Sequence, residues 1–165
     1  MGTARSRAAD TGPARVSDSP QARLQAALAR EIPLSRAMGI SVASWDGRTV
    51  RLAAPLAPNV NHKATVFGGS LSAAATLAGW SALWLLLDAN GLMEQVVIQD
   101  ASIEYRHPVT GDFVVECSLP DDGRVAHFLA TLRERGRARL ELVASVTSPE
   151  QALVTFRGRY VAVRP

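Results

Sequence analysis

Cysteine, lysine and aromatic residues are scarce in this chain, and each scarcity excludes a class of protein. Cys117 is the one cysteine, so no disulfide can form within the chain. Its alternating apolar surroundings mark it as a buried strand thiol and not a nucleophile, and a reducing, cytoplasmic setting is expected. Lys63 is the one lysine among 18 Lys+Arg, against 15 Asp+Glu. Several of the arginines (Arg5, Arg7, Arg15) fall near the start, which leaves the remainder close to neutral. No basic helix and no interleaving of basic with aromatic residues is present, so nucleic acid is not an expected partner. The first twenty residues hold no apolar h-region, so a secretory leader is not expected. His, Cys and Asp never gather at ligand spacing, so no metal is expected, and no other cofactor. Internal repeats are absent, and 165 residues suit one domain with one core.

Residues 1–20 lack hydrophobic periodicity and read as a disordered tail, which leaves 21–165 as the folded domain. A short helix is expected from Gln21 to Arg30, and another turn from Leu34 to Met38. Alternating strands follow at 40–45 and 48–52, joined at Asp46-Gly47, a strong hairpin signal. Further strands are expected at 96–105, 113–119, 138–146 and 152–163, with a helix at 125–135 between the middle two.

Between the first two strands and the rest lies one long apolar run, Ser70 to Leu87. Its length raises the question of a membrane span. Ser70, Ser72, Thr76 and Ser81 interrupt it and no basic cluster flanks it, so the reading is a helix enclosed on nearly all sides within a soluble core. Antiparallel strands curved around one such helix would provide that enclosure.

The run is preceded by Asn59-Val60-Asn61-His62-Lys63-Ala64-Thr65-Val66-Phe67-Gly68-Gly69. Two glycines at a helix start leave backbone N–H groups bare at the positive end of its dipole. Such groups can hold a carbonyl oxygen or a developing oxyanion, which points to acyl chemistry. A tight loop-to-helix turn explains the same glycines without any chemistry. Asn59 and Asn61 suit either water positioning or Asx turns. His62 suits titration near neutrality or plain solvation. Thr76 can orient water or bond to its own i−4 carbonyl. Asp100 is unusual mid-strand; by alternation it shares a face with Ile98 and Ser102, and is a candidate base.

These segments together resemble the hotdog-fold acyl thioesterases. Ala37-Met38-Gly39-Ile40 before the hairpin, Asn61 followed by Phe67-Gly68-Gly69, and Tyr105-Arg106-His107-Pro108 are similar to that family's motifs. Nearest is the thioesterase family of the YiiD C-terminal domain. The resemblance there extends to Gly79-Trp80, to Pro108 through Phe113, and to Phe156-Arg157-Gly158-Arg159-Tyr160. It implies an α+β hotdog fold, a curved antiparallel sheet around one central helix. It implies hydrolysis of an acyl-CoA or acyl-carrier-protein thioester by a homodimer, extendable to a tetramer, with the site between subunits. Asn61, Gly68, Gly69 and Asp100 would be catalytic; Asn59, His62, Thr65, Phe67 and Thr76 would line the substrate. The chain departs from the pattern of phenylacetyl-CoA-type hotdog thioesterases at two places: Phe67 stands where a histidine is usual, and Thr76 where a helix carboxylate is usual. A non-catalytic acyl-binding or scaffold protein is therefore the alternative.

Overall fold

The computed structural model describes residues 19–165; most of the expected tail lies outside them. Ser19 and Pro20, read from sequence as its last residues, instead open the first helix. The Ser19 side chain accepts the N–H of Ala22, and proline occupies the first helical turn, where its missing N–H costs nothing. That helix, α1, is Pro20–Glu31, and its C-cap Ile32 is the residue before Pro33. A single further turn, α2, is Pro33–Ala37. The strands β1 (Ser41–Trp45) and β2 (Thr49–Ala54) follow. The turn between them pivots on Gly47, whose φ of +94° suits glycine. The long helix α3 is Gly68–Ala89. After it come β3 (Gln95–Tyr105), β4 (Phe113–Ser118), α4 (Asp122–Arg135), β5 (Arg137–Thr147) and β6 (Ala152–Val163).

The six strands among the described residues join one antiparallel sheet in the order β1-β2-β4-β5-β6-β3. One face of it is apolar: Val50 and Leu52, Val115 and Cys117, Leu140, Leu142 and Ala144, and Val154, Phe156 and Tyr160 are all buried. Against them lies α3, with Leu71, Ala74, Ala75, Ala78, Ala82, Leu83 and Leu85 also buried. By length and composition α3 could cross a bilayer, yet 67% of its most apolar window is enclosed by protein. Burial pushes the Cys117 thiol up to about 12, so it is un-ionised at neutral pH. This fits the structural reading of that residue.

Close approach of α3 to β6 depends on Gly79. The Tyr160 ring occupies the space a Cβ there would need, and its hydroxyl donates to the Thr76 carbonyl at 2.8 Å. The two ends of the sheet differ. At β1, glutamines from α1 take up edge groups: Gln25 accepts the Val42 N–H at 2.7 Å and donates to the Ile40 carbonyl at 3.3 Å, and Gln21 donates to the Trp45 carbonyl at 3.4 Å. At the other end, among the described residues, β3 pairs with β6 alone, and it carries exposed Val97, Ile98 and Tyr105.

Gly79→Val forces Tyr160 off the helix and breaks its hydrogen bond. Overpacking and the lost bond together are expected to cost about 2–4 kcal/mol, read as a lower denaturation midpoint with an unchanged slope in urea.

Candidate active site

The segment before α3 is held by two asparagines that do different work. Asn59 is buried, 2% exposed. Its Nδ2 donates to the Met38 carbonyl at 2.9 Å and the Pro55 carbonyl at 2.7 Å, and its own carbonyl accepts the Phe67 N–H at 2.7 Å. The start of α3 is thereby tied to α2 and to the end of β2. Its Oδ1 is buried without a hydrogen-bond partner among the described residues. Asn61 closes the loop on itself. Its Oδ1 accepts from the N–H groups of Lys63 (2.8 Å) and Thr65 (3.3 Å), and its Nδ2 donates to Thr65 Oγ1 at 2.9 Å. The Asn61 N–H reaches the Thr65 carbonyl at 2.8 Å, and Ala64 sits at the turn with φ +59°. The side-chain capacity of Asn61 is thus engaged in an Asx-type turn. Thr65 supports that turn, and His62 is exposed on its outer side.

Helix α3 begins without a side-chain cap. Its first i→i−4 bond runs from the Leu71 N–H to the Phe67 carbonyl at 3.1 Å. The N–H groups of Gly68, Gly69 and Ser70 precede it and have no intrahelical acceptor. Two aromatic rings flank this mouth. Phe67 is 57% exposed, and its ring lies against Gly69 where a Cβ would stand. Tyr105 donates its hydroxyl to the Gly68 carbonyl at 2.9 Å. Sequence reasoning did not assign Tyr105 to the site, although the Tyr105-x-x-Pro108 pattern marked its strand end.

The mouth opens on a cavity of about 440 Å3 lined by Gly69, Ser72, Ala73, Thr76, Leu77 and Trp80 from α3, with Ile32, Leu34, Ile98 and Tyr160 opposite. This is the ordinary size of a small-ligand pocket. Thr76 lies in it with Gly69, seven residues and two turns apart on one helix face. Asp100 does not. A β-bulge between Ile98 and Asp100 shifts the register with β6, so Ile98 pairs with Tyr160 and Asp100 with Arg159. The extra residue breaks strict alternation. Ile98 consequently faces the helix, while Asp100 sits on the outer side with Glu141, Arg157 and Arg159. The expectation that Ile98 and Asp100 share a face is corrected by that bulge.

Comparison with known proteins accords with this geometry. Residues 21–164 match the family described as "Putative thioesterase (yiiD_Cterm)". The chain belongs to this family. A Chlorobaculum tepidum protein described as of unknown function is 32% identical over 87% of this chain and 93% of its own, with TM-score 0.83. A protein of Shewanella oneidensis, described as a putative thioesterase, is 31% identical over 87% and 97%, with TM-score 0.78. A Haemophilus influenzae thioesterase shares the fold at 12% identity, with TM-score 0.65 over 87% and 90%. The hotdog architecture expected from sequence is the one found.

Asn59→Ala strands two buried carbonyls and frees the loop that aims α3. A loss of about 2–3 kcal/mol in unfolding free energy is expected, measured by chemical denaturation. Asn61→Ala, on an exposed loop, should cost about 1 kcal/mol or less by the same measurement.

Proposed function

We propose that this protein hydrolyses acyl thioesters carried on coenzyme A or an acyl carrier protein, at the mouth of α3. The observation that carries the reading is an uncapped helix N-terminus opening directly into an apolar cavity. The N–H groups of Gly68 and Gly69 point along the helix axis toward the mouth, where a thioester oxygen would gather charge as water adds to its carbon. Collapse of the tetrahedral adduct releases the carboxylic acid and a thiol, which regains the proton taken from water. Thr76 would orient the water along the same helix face. Asn61 acts as a positioning residue through the loop it closes. Asp100 would reach substrate only from a second copy of the chain, across the unpaired edge of β3.

Two copies joined through β3 would pair the open edge and cover Val97. The expected mass in solution is about twice 17.6 kDa. Val97→Lys places a charge at the seam and should shift the protein toward monomer in light scattering.

Free thiol release from a panel of acyl thioesters tests the activity. Turnover should fall roughly a hundredfold in Gly69→Ala, because a Cβ there displaces Phe67 and shifts the mouth by a fraction of an ångström or more. Asp100→Asn should lower kcat only in the dimer. No thiol release from any acyl thioester would remove the hydrolase reading. A non-catalytic acyl-binding protein is the second reading. It is favoured by the cavity face of α3, where Gly69, Ser72, Ala73, Thr76 and Trp80 supply no carboxylate. Thr76→Asp separates the two: a rise in thiol release of roughly tenfold or more supports a catalytic site short of a base, and no change supports the binding role.

A further inference from the structure

Helix α3 is buried along its length except on one stripe. Gly69, Ser72, Ala73, Thr76, Trp80, Trp84 and Asp88 are the positions left partly or fully open after its first residue, apart from Ser70 and the terminal Ala89. They recur every three or four residues and so form a single line along the helix. Two cavities lie on that line. The front one, about 440 Å3, begins at the mouth and ends at Trp80. The rear one, about 420 Å3, begins at Trp80 and continues past Trp84, Leu87 and Leu92 to Val96. Among the described residues Trp80 is the one that lines both. Its ring is braced by Trp84, with centroids 6.4 Å apart and planes 26° from parallel, a stacked geometry that resists rotation of either indole.

We propose that Trp80 is the chain-length stop of the acyl site, and that the site takes medium-chain acyl groups. The inference rests on the acyl-site reading above, whether or not turnover occurs. With the carbonyl at Gly69, the chain can run only along the open stripe, because the sheet encloses the rest of α3. At ~1.5 Å per residue the helix rises about 10 Å from Gly69 to Thr76 and about 16 Å to Trp80. The Trp80 side chain leans back toward the helix start, so the usable length falls between those values. An extended chain advances about 1.2 Å per bond, so roughly eight to twelve carbons reach the indole. Beyond it the rear cavity is open space that the chain cannot enter while the indole stays stacked. Its far rim is also less hospitable to hydrocarbon, since Arg30, Glu31, Asp88 and Glu94 border it.

The experiment measures binding of S-alkyl pantetheine thioethers of increasing chain length, which share the arm common to both carriers and cannot be hydrolysed. In the native protein, affinity should rise about fourfold per methylene and level off between roughly eight and twelve carbons, the span estimated from the helix rise. Trp80→Ala should carry the rise onward into the rear cavity, moving the plateau by several carbons. Trp80→Phe, which keeps a ring and guards against a folding failure of the alanine variant, should move it less. Leu92→Ala enlarges only the rear cavity and should leave the plateau in place. A plateau unmoved in Trp80→Ala and Trp80→Phe overturns the proposal, as does steady growth in affinity through sixteen carbons in the native protein. Failure of every alkyl ligand to bind overturns it together with the acyl-site reading. Absence of thiol release alongside chain-length-dependent binding removes only the hydrolase reading and leaves Trp80 as the stop.

Discussion

Everything in this fold follows from having to enclose a helix that has no polar side. Leucines and alanines occupy most positions of α3, so no orientation on a flat sheet would bury them all. A sheet that curves from β1 to β3 does so, and α1 with α2 fills part of the remaining arc. The enclosure is incomplete along one line, where the link between α1 and α2 faces Ile98 of β3. That line begins at the one end of the helix whose amides lack acceptors. The open surface of α3 is therefore what remains when the wrapping stops.

The two sheet edges differ in what covers them. Edge strands expose unpaired donors and acceptors, and proteins cover them or pair them. Gln21 and Gln25 reach from α1 to the outer edge of β1 and occupy it. Over its eleven residues, β3 has no such cover among the described residues and is exposed at Val97, Ile98 and Tyr105. It also borders the open stripe of α3. Joining two copies at β3 would satisfy the edge and bring a second wall to the seam in the same step, which links assembly to the site without any further element.

Most of the architecture was legible in sequence because it rests on periodicity and punctuation. The order of strands and helices, the enclosed helix, the buried face of β6 through Val154, Phe156 and Tyr160, and the inert Cys117 all follow from local pattern. Asp100 was misplaced because alternation was extended through a strand that carries a bulge, and one extra residue inverts every assignment beyond it. Nothing in the composition of Val97-Ile98-Gln99-Asp100 signals that insertion; it shows only in the pairing with β6. Leu83, one residue before Trp84 in the same apolar run, is wholly buried and lines neither cavity. Trp80 and Trp84 are four apart and share the stripe, whereas Leu83 lies on the core side. Tyr105 escaped because its role is a tertiary contact with Gly68, set by where β3 ends relative to α3.

The departures from the pattern of phenylacetyl-CoA-type hotdog thioesterases also have a structural logic. Phe67 replaces a polar side chain at the mouth, and its ring lies over Gly69, which only a residue without Cβ permits. Thr76 replaces a carboxylate at a position that the structure shows to be inside the cavity. Thr76 keeps the cavity face of α3 uncharged, and the Phe67 ring sets an apolar surface beside Gly69 at the mouth. An ionised carboxylate among Leu77, Ile98 and Tyr160 would have to be desolvated without a partner; a threonine hydroxyl can return a bond to its own helix. On the proposed reading, a site without these polar side chains would favour retention of a hydrocarbon chain and would leave catalysis to the helix amides and to whatever polar group a second copy of the chain brought.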